Sequence, residues 1–184
     1  MKNRILFLDR DGIININKPY ISSNNEFEFM DDIFDVCKLF LKNNFKIIVV
    51  TNQSGIGRGL LSLHDFHILT LWMLEKFESQ NIRIEFVLAS ALNPEIENPT
   101  NFELFRRKPN PGLFLDAGEI IEINYEESVM IGDNFTDGYA ATSAGLNKIF
   151  IVNKGQNIKE KFVIFESLAD LQTKINSLMG FGNV

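Results

Sequence analysis

Five short stretches of the chain are apolar almost throughout: residues 5–8, 46–50, 84–89, 128–131 and 148–152. Each is rich in Ile, Val and Phe and lacks in–out alternation, which is how strands covered on both faces of a parallel sheet read. Between them apolar positions recur at three-and-four spacing, the period of a helix that buries one stripe. One such pattern sets Ile33, Val36, Cys37, Phe40 and Leu41 on a single face behind a capping Asp31 or Asp32. A second starts at Ser62 and runs through Phe66, Leu69, Trp72, Met73 and Phe77. A third covers about 112–123 with Pro111 suited to its first turn, and a fourth begins near Thr136. A fifth, near Ser167, presents Leu168, Leu171, Ile175 and Leu178. Strand and helix in alternation predict an α/β fold: a doubly wound, Rossmann-like parallel sheet with helices on both faces.

Two stretches break the alternation. Residues 15–29 are polar and turn-rich, and residues 93–108 hold Pro94 and Pro99 with little periodicity. Loops of that length in a compact domain are usually functional. They are expected as insertions, a flap at about 15–30 and a loop at about 93–107, forming a minimal cap on one domain over 1–184.

Composition narrows the classes. A chain of 184 residues has the length of one domain, and 45% hydrophobic with 23% charged residues excludes wholesale disorder. No apolar run approaches the roughly 20 residues of a bilayer span, and no secretory leader is recognisable. Cys37 stands alone, so no internal disulfide can form. A cytoplasmic monomer without a membrane partner is expected. The net charge of −6 argues against a nucleic-acid surface but not against a small anion in a locally basic pocket.

In open α/β sheets ligands bind beyond the carboxyl ends of the strands. There the sequence places Asp9-Arg10-Asp11-Gly12, then residues 51–59 (TNQSGIGRG), then Gly132-Asp133-Asn134 with Asp137. Asp9, Asp11 and Asp133 together would make an oxygen site for a hard cation of the Mg²⁺ type. Backbone N–H groups and hydroxyls of the glycine-rich loop suit a phosphoryl group, and Lys108, before the Pro111 helix, can neutralise phosphate oxygens. Such a convergence is phosphoryl-transfer equipment. No lysine of the P-loop kind follows the glycines, so a P-loop nucleotide site is excluded. Singly, each feature has a plainer reading: an aspartate as turn former, Asp133 and Asp137 as helix caps, Lys108 as a solvated side chain. It is their joint order after successive strands that points to function. His64 and His67 have no metal-spaced partner and read as surface residues, and the sequence leaves Arg58 and Asp137 undecided.

These motifs resemble the haloacid dehalogenase superfamily of phosphatases. Phe7 to Asn15, residues 51–59 and Arg107-Lys108-Pro109-Asn110-Pro111-Gly112 resemble its D-glycero-D-manno-heptose 1,7-bisphosphate phosphatase branch, which histidinol-phosphate phosphatases share. The resemblance implies Asp9 as the nucleophile that forms an aspartyl-phosphate and Asp11 as general acid and base, with its carbonyl on Mg²⁺. It implies Asp133 as metal ligand with Asn134 beside it, and Thr51 as the hydroxyl holding phosphoryl oxygens, lined by Asn52, Gln53 and Ser54. Lys108 is implied to screen charge, Arg107 to recognise substrate, and Asn17, Lys18, Pro19 and Tyr20 to form a substrate-facing flap. Relatives carry a structural zinc loop, but its four ligand places here hold Ala89, Ala91, Leu104 and Arg106. Structural zinc is therefore expected to be absent, with the loop held by packing of Phe102, Leu104 and Phe105.

The expectation is a Mg²⁺-dependent phosphatase that hydrolyses a small phosphorylated sugar, foremost the C7 phosphate of heptose 1,7-bisphosphate, in surface-polysaccharide synthesis. Histidinol-phosphate phosphatase is the alternative within the class. A catalytically silent phosphosugar-binding module is the alternative outside it, opposed by the intact Asp9, Asp11, Thr51, Lys108 and Asp133.

Overall fold

A computed structural model describes residues 2–96, 98–153 and 162–181. Six parallel strands form the sheet: β1 (Arg4–Leu8), β2 (Phe45–Asn52), β3 (Ile84–Ser90), β4 (Val129–Gly132), β5 (Lys148–Val152) and β6 (Val163–Phe165), in the order β3-β2-β1-β4-β5-β6. The chain winds outward from β1 through β2 to β3, then returns to the other side of β1 and winds outward again through β6. The reversal falls between β1 and β4, where the two loops leave the sheet in opposite directions and open a crevice. Register across this pair sets Leu8 opposite Ile131, so Asp9 and Asp133 emerge side by side. The Asp9 N–H extends the ladder to the Ile131 carbonyl at 3.1 Å.

Helices cover both faces: α1 (Ile33–Lys42), α2 (Ser54–Gly57), α3 (Leu63–Ser79), α4 (Asn101–Arg106), α5 (Gly112–Ile120), α6 (Phe135–Ser143) and α7 (Leu168–Met179). Successive strand residues serve opposite cores, because side chains alternate across a strand. Leu6, Leu8, Ile47, Val49 and Ile131 pack with Val36 and Phe40 of α1, Met73 and Phe77 of α3, and Leu171 and Ile175 of α7. Ile5, Phe7, Ile48, Val50 and Met130 pack with Phe114 and Ala117 of α5 and Ala140 of α6. The Phe7 and Phe114 ring centroids are 4.8 Å apart. Truncating such a buried aromatic costs about 3–5 kcal/mol. The expected fold class and all five expected strands are present.

The differences are local. Strand β6 and helices α2 and α4 lie where no element was expected. Asp32 occupies the N-cap of α1 but makes no side-chain cap bond, because its backbone is left-handed, with φ of 66°. Pro111 stands at the N-cap of α5 instead of inside its first turn. Phe102, Leu104 and Phe105 do not hold the 93–107 loop by packing: they are 63%, 41% and 45% exposed. Polar groups fasten it instead. Thr100 and Glu103 form a capping box on α4, Arg106 Nε pairs with Asp116, and the Asn110 amide donates to the Leu104 carbonyl at 2.9 Å. Cys37 is buried as expected, while Trp72 is only partly so, stacked on Phe29. His64 and His67 are exposed. Among the described residues no helix is long and apolar enough to cross a membrane.

Candidate active site

The crevice beyond β1 and β4 holds a cavity of about 410 Å³. Of the expected site residues, Asp9, Asp11, Asn17, Lys18, Pro19, Tyr20, Thr51, Asn52, Gln53, Ser54, Arg107, Lys108, Asp133 and Asn134 all line it.

Asp9 sits at the end of β1, its Oδ1 accepting from the Arg10 N–H at 2.7 Å. Lys108 reaches the same oxygen at 2.9 Å. The Lys108 ammonium is closed to solvent and fully engaged: it also meets Asp137 Oδ1 at 2.6 Å and donates to the Val50 carbonyl at 2.9 Å. Three acceptors for three donors fix its position. The backbone that carries it is clamped by Asn52, which donates to the Lys108 carbonyl and accepts from the Lys108 N–H.

Asp11 is held by another set. It forms an ion pair with buried Arg10 at 2.9 Å and accepts from the Asn15 amide at 3.0 Å. Gln53 Nε2 donates to Asp11 at 2.7 Å and to Thr51 Oγ1 at 3.0 Å, so one amide ties the β1 loop to the β2 loop. The turn between Asp11 and Asn15 depends on Gly12, with φ of 87°. A Cβ there would lie 2.1 Å from Asp133 Oδ2, so only glycine lets the two loops approach. Asn17 of the flap donates to that oxygen at 3.3 Å. Lys18, by contrast, is paired at 3.0 Å with Glu28.

Asp9, Asp133 and Asp137 each offer an oxygen within 4.8 Å of the others. Three carboxylates against one ammonium leave an excess of two negative charges, which a divalent cation would balance. Crowding and burial shift the proton affinities of these groups. Burial, with Asp137 and Asp133 adding to it, pushes Asp9 up to about 7 despite Lys108. Burial and Asp137 push Asp133 up to about 6. Lys108 is kept charged: burial opposes its proton, but Asp137 and Asp9 outweigh burial. Carboxylates raised by crowding in a cleft, with all-oxygen donors, fit a small hard cation such as Mg²⁺.

Asn134 turns its Oδ1 to the Thr136 N–H at 3.0 Å as the cap of α6, while buried Asp137 lies with Asp9 and Asp133 in the carboxylate cluster, its Oδ1 engaged by Lys108. Asp137 Oδ2 meanwhile accepts from the Asn134 N–H at 3.1 Å. The same carboxyl therefore caps the helix and grips Lys108. Sequence reasoning also passed over Arg10 and Asn15, both buried around Asp11; the signals available were a cation between two aspartates for Arg10 and an amide among isoleucines for Asn15.

A model of the HAD-hydrolase-like family matches residues 105–171. The D-glycero-alpha-D-manno-heptose-1,7-bisphosphate 7-phosphatase of Campylobacter jejuni is 36% identical over 171 residues, covering 93% of this chain and 95% of that protein. The D-glycero-beta-D-manno-heptose-1,7-bisphosphate 7-phosphatase of Vibrio cholerae is 32% identical over 177 residues, covering 93% and 95%. In fold the chain is similar to the crystal structure of D,D-heptose 1,7-bisphosphate phosphatase from B. bronchiseptica complexed with magnesium and phosphate, with a TM-score of 0.81, 20% identity, and 95% and 99% of the two chains covered. A cation-hungry carboxylate cluster at the switch point of the sheet, together with relatives alike over nearly their whole length, gives the family: the chain belongs to the heptose-bisphosphate phosphatases of the haloacid dehalogenase-like hydrolases, which are Mg²⁺-dependent phosphatases.

Proposed function

We propose that this phosphatase removes the C7 phosphate of D-glycero-D-manno-heptose 1,7-bisphosphate. The observation that carries the chemistry is the placement of Lys108 against Asp9 Oδ1. Both donors to Asp9 fall on that oxygen, and among the described residues Oδ2 has none. Oδ2 is thus the oxygen with free lone pairs for attack on phosphorus. In the first step a bond forms from Asp9 Oδ2 to phosphorus while the bond from phosphorus to the sugar oxygen breaks, and Asp11 gives that oxygen a proton. In the second step water attacks the aspartyl-phosphate as Asp11 takes its proton, releasing phosphate and restoring Asp9. Splitting the displacement in two lowers each barrier, and the proton transfer contributes roughly 10²–10⁴-fold.

Asp9, Asp133 and the Asp11 carbonyl would hold Mg²⁺, and the ion would offset charge on the phosphoryl oxygens. Lys108 screens Asp9 from the approaching anion. Thr51, Asn52 and Ser54 line the wall where those oxygens would sit, and Asn17 and Tyr20 border the sugar side. The heptose assignment is supported by the names of the relatives and by Arg107, a guanidinium on the cavity wall beside Lys108.

The test is phosphate release with Mg²⁺ from heptose 1,7-bisphosphate and, in parallel, from histidinol phosphate. Faster turnover of the bisphosphate, abolished in Asp9→Asn with the fold intact, is expected. Preference for histidinol phosphate would overturn the assignment of substrate. Absence of metal-dependent release from any phosphate ester would favour a silent binding module.

A further inference from the structure

Helix α3 is apolar on two opposite sides. One side sends Leu69, Met73 and Phe77 into the core. On the other, Ile68 and Leu71 are 52% and 44% exposed. His64 and His67 precede that pair and Glu75 and Glu78 follow it, all four exposed. Helical spacing sets the six residues on a single outward stripe. Among the described residues none of the four polar side chains has a hydrogen bond or an ion pair.

The order of charge along the stripe is the reverse of what a lone helix favours. The helix dipole favours acids in the first turn and bases in the last. Away from the stripe α3 follows that rule, with Asp65 in its first turn and Lys76 in its last. Both are occupied: Asp65 accepts from the Ser62 hydroxyl at 2.6 Å, and Lys76 lies over the Trp72 ring at 5.4 Å. On the stripe, two glutamates stand three residues apart near the C-terminal end, where they repel each other and the dipole.

A second α3 running antiparallel removes the conflict. Centred between Ile68 and Leu71, such a pair brings Ile68 of each copy level with Leu71 of the other. His64 then comes level with Glu75 of the other copy. His67 and Glu78 lie to either side of that contact, each three residues or about 4.5 Å along the axis. An imidazole N–H donates to a carboxylate, and aliphatic side chains meet aliphatic ones. A parallel pair would set glutamate against glutamate.

We propose that this stripe is where two copies of the chain pair, α3 against antiparallel α3 across a two-fold axis. The occupant is a second copy because the stripe is its own complement, as a two-fold interface requires. The pairing departs from the monomer expected from the sequence. None of the six residues lines the cavity, so it holds whichever phosphate ester the site accepts.

The experiment is sedimentation equilibrium of the full chain over a wide range of concentration. The wild type is expected to move from the mass of one chain to that of two. Leu71→Glu sets a carboxylate against the aliphatic centre, and burying that unpaired charge should weaken pairing at least about tenfold. Its thermal unfolding, measured dilute, should match the wild type, because Leu71 is exposed in the single chain. H64E/H67E and E75K/E78K should each stay monomeric, since one makes the stripe acidic at both ends and the other removes its acceptors. Mixed in equal amounts they should form a dimer with one copy of each, because the new glutamates then face the new lysines. A wild type that stays monomeric at every concentration overturns the proposal. So does a dimer that persists in Leu71→Glu, and so does a mixture of the two charge variants that fails to pair.

Discussion

Lys108 and Asp137 meet at 2.6 Å, Nζ to Oδ1, in a contact closed to solvent at both ends. Because the same ammonium also touches Asp9, the pair links the start of helix α6 to the end of strand β1. Breaking a buried pair by removing one partner leaves an uncompensated charge and costs about 3–5 kcal/mol. Asp137→Asn also relieves repulsion among the carboxylates, so the loss is expected at the lower end, about 3 kcal/mol by urea unfolding. Its kcat should fall at least tenfold as Lys108 loses its fixed position. Lys108→Met should be more harmful to both, and unfolding and steady-state kinetics on the two variants check the order.

The raised carboxyls give the metal-free protein a definite pH response. Asp9 moves from 3.8 to about 7 and Asp133 from 3.8 to about 6. Between those limits the folded chain holds protons that the unfolded chain has lost, so stability falls as pH rises through the window. Thermal unfolding with a chelator should therefore show a lower Tm at about pH 8 than at about pH 5. Mg²⁺ competes with the same protons, so its apparent affinity should climb across pH 6–7, and saturating Mg²⁺ should recover Tm most at the alkaline end. A Tm difference between Mg²⁺ and chelator that does not grow with pH would contradict this.

Gly12 tests the approach of the two acidic loops. Gly12→Ala puts a Cβ at φ of 87° and 2.1 Å from Asp133 Oδ2. Backbone strain of this kind costs on the order of 1–3 kcal/mol. The displaced Asp133 should weaken Mg²⁺ binding by calorimetry beyond what the stability loss alone accounts for.

The 93–107 loop should be indifferent to zinc. Ala89, Ala91, Leu104 and Arg106 offer no zinc ligand, and the Thr100–Glu103 box with the Arg106–Asp116 pair does the fastening. A zinc-selective chelator should leave Tm and activity unchanged. Thr100→Ala should cost about 1 kcal/mol locally, visible as faster hydrogen exchange in α4.

The sheet was legible because its strands are apolar on both faces, and the acidic loops because they follow those strands. Short elements were not. Helix α2 is one turn of a glycine-rich loop, and β6 is three residues long. Helix α4 did carry a signal in Thr100 and Glu103, a capping-box spacing masked by the prolines before it. Phe102, Leu104 and Phe105 misled because aromatic and aliphatic content alone cannot say which side of a short helix meets solvent. Asn134 and Asp137 face different ways for a geometric reason. A residue at the N-cap bonds the helix it begins, while one a turn later projects back across the cap toward the end of β4. Neighbouring acidic and amide positions in sequence do not reveal which of them that turn will aim inward.

The adjacency of β1 and β4 has a consequence for biogenesis. Asp9 is made well before Asp133 and Asp137, which follow it by more than 120 residues. Nascent protein therefore has no place for the ion until β4 has docked beside β1, and capture of Mg²⁺ becomes a late event that reports a completed sheet. Pulse-labelled intermediates ending before residue 129 should fold their first strands while remaining blind to the metal.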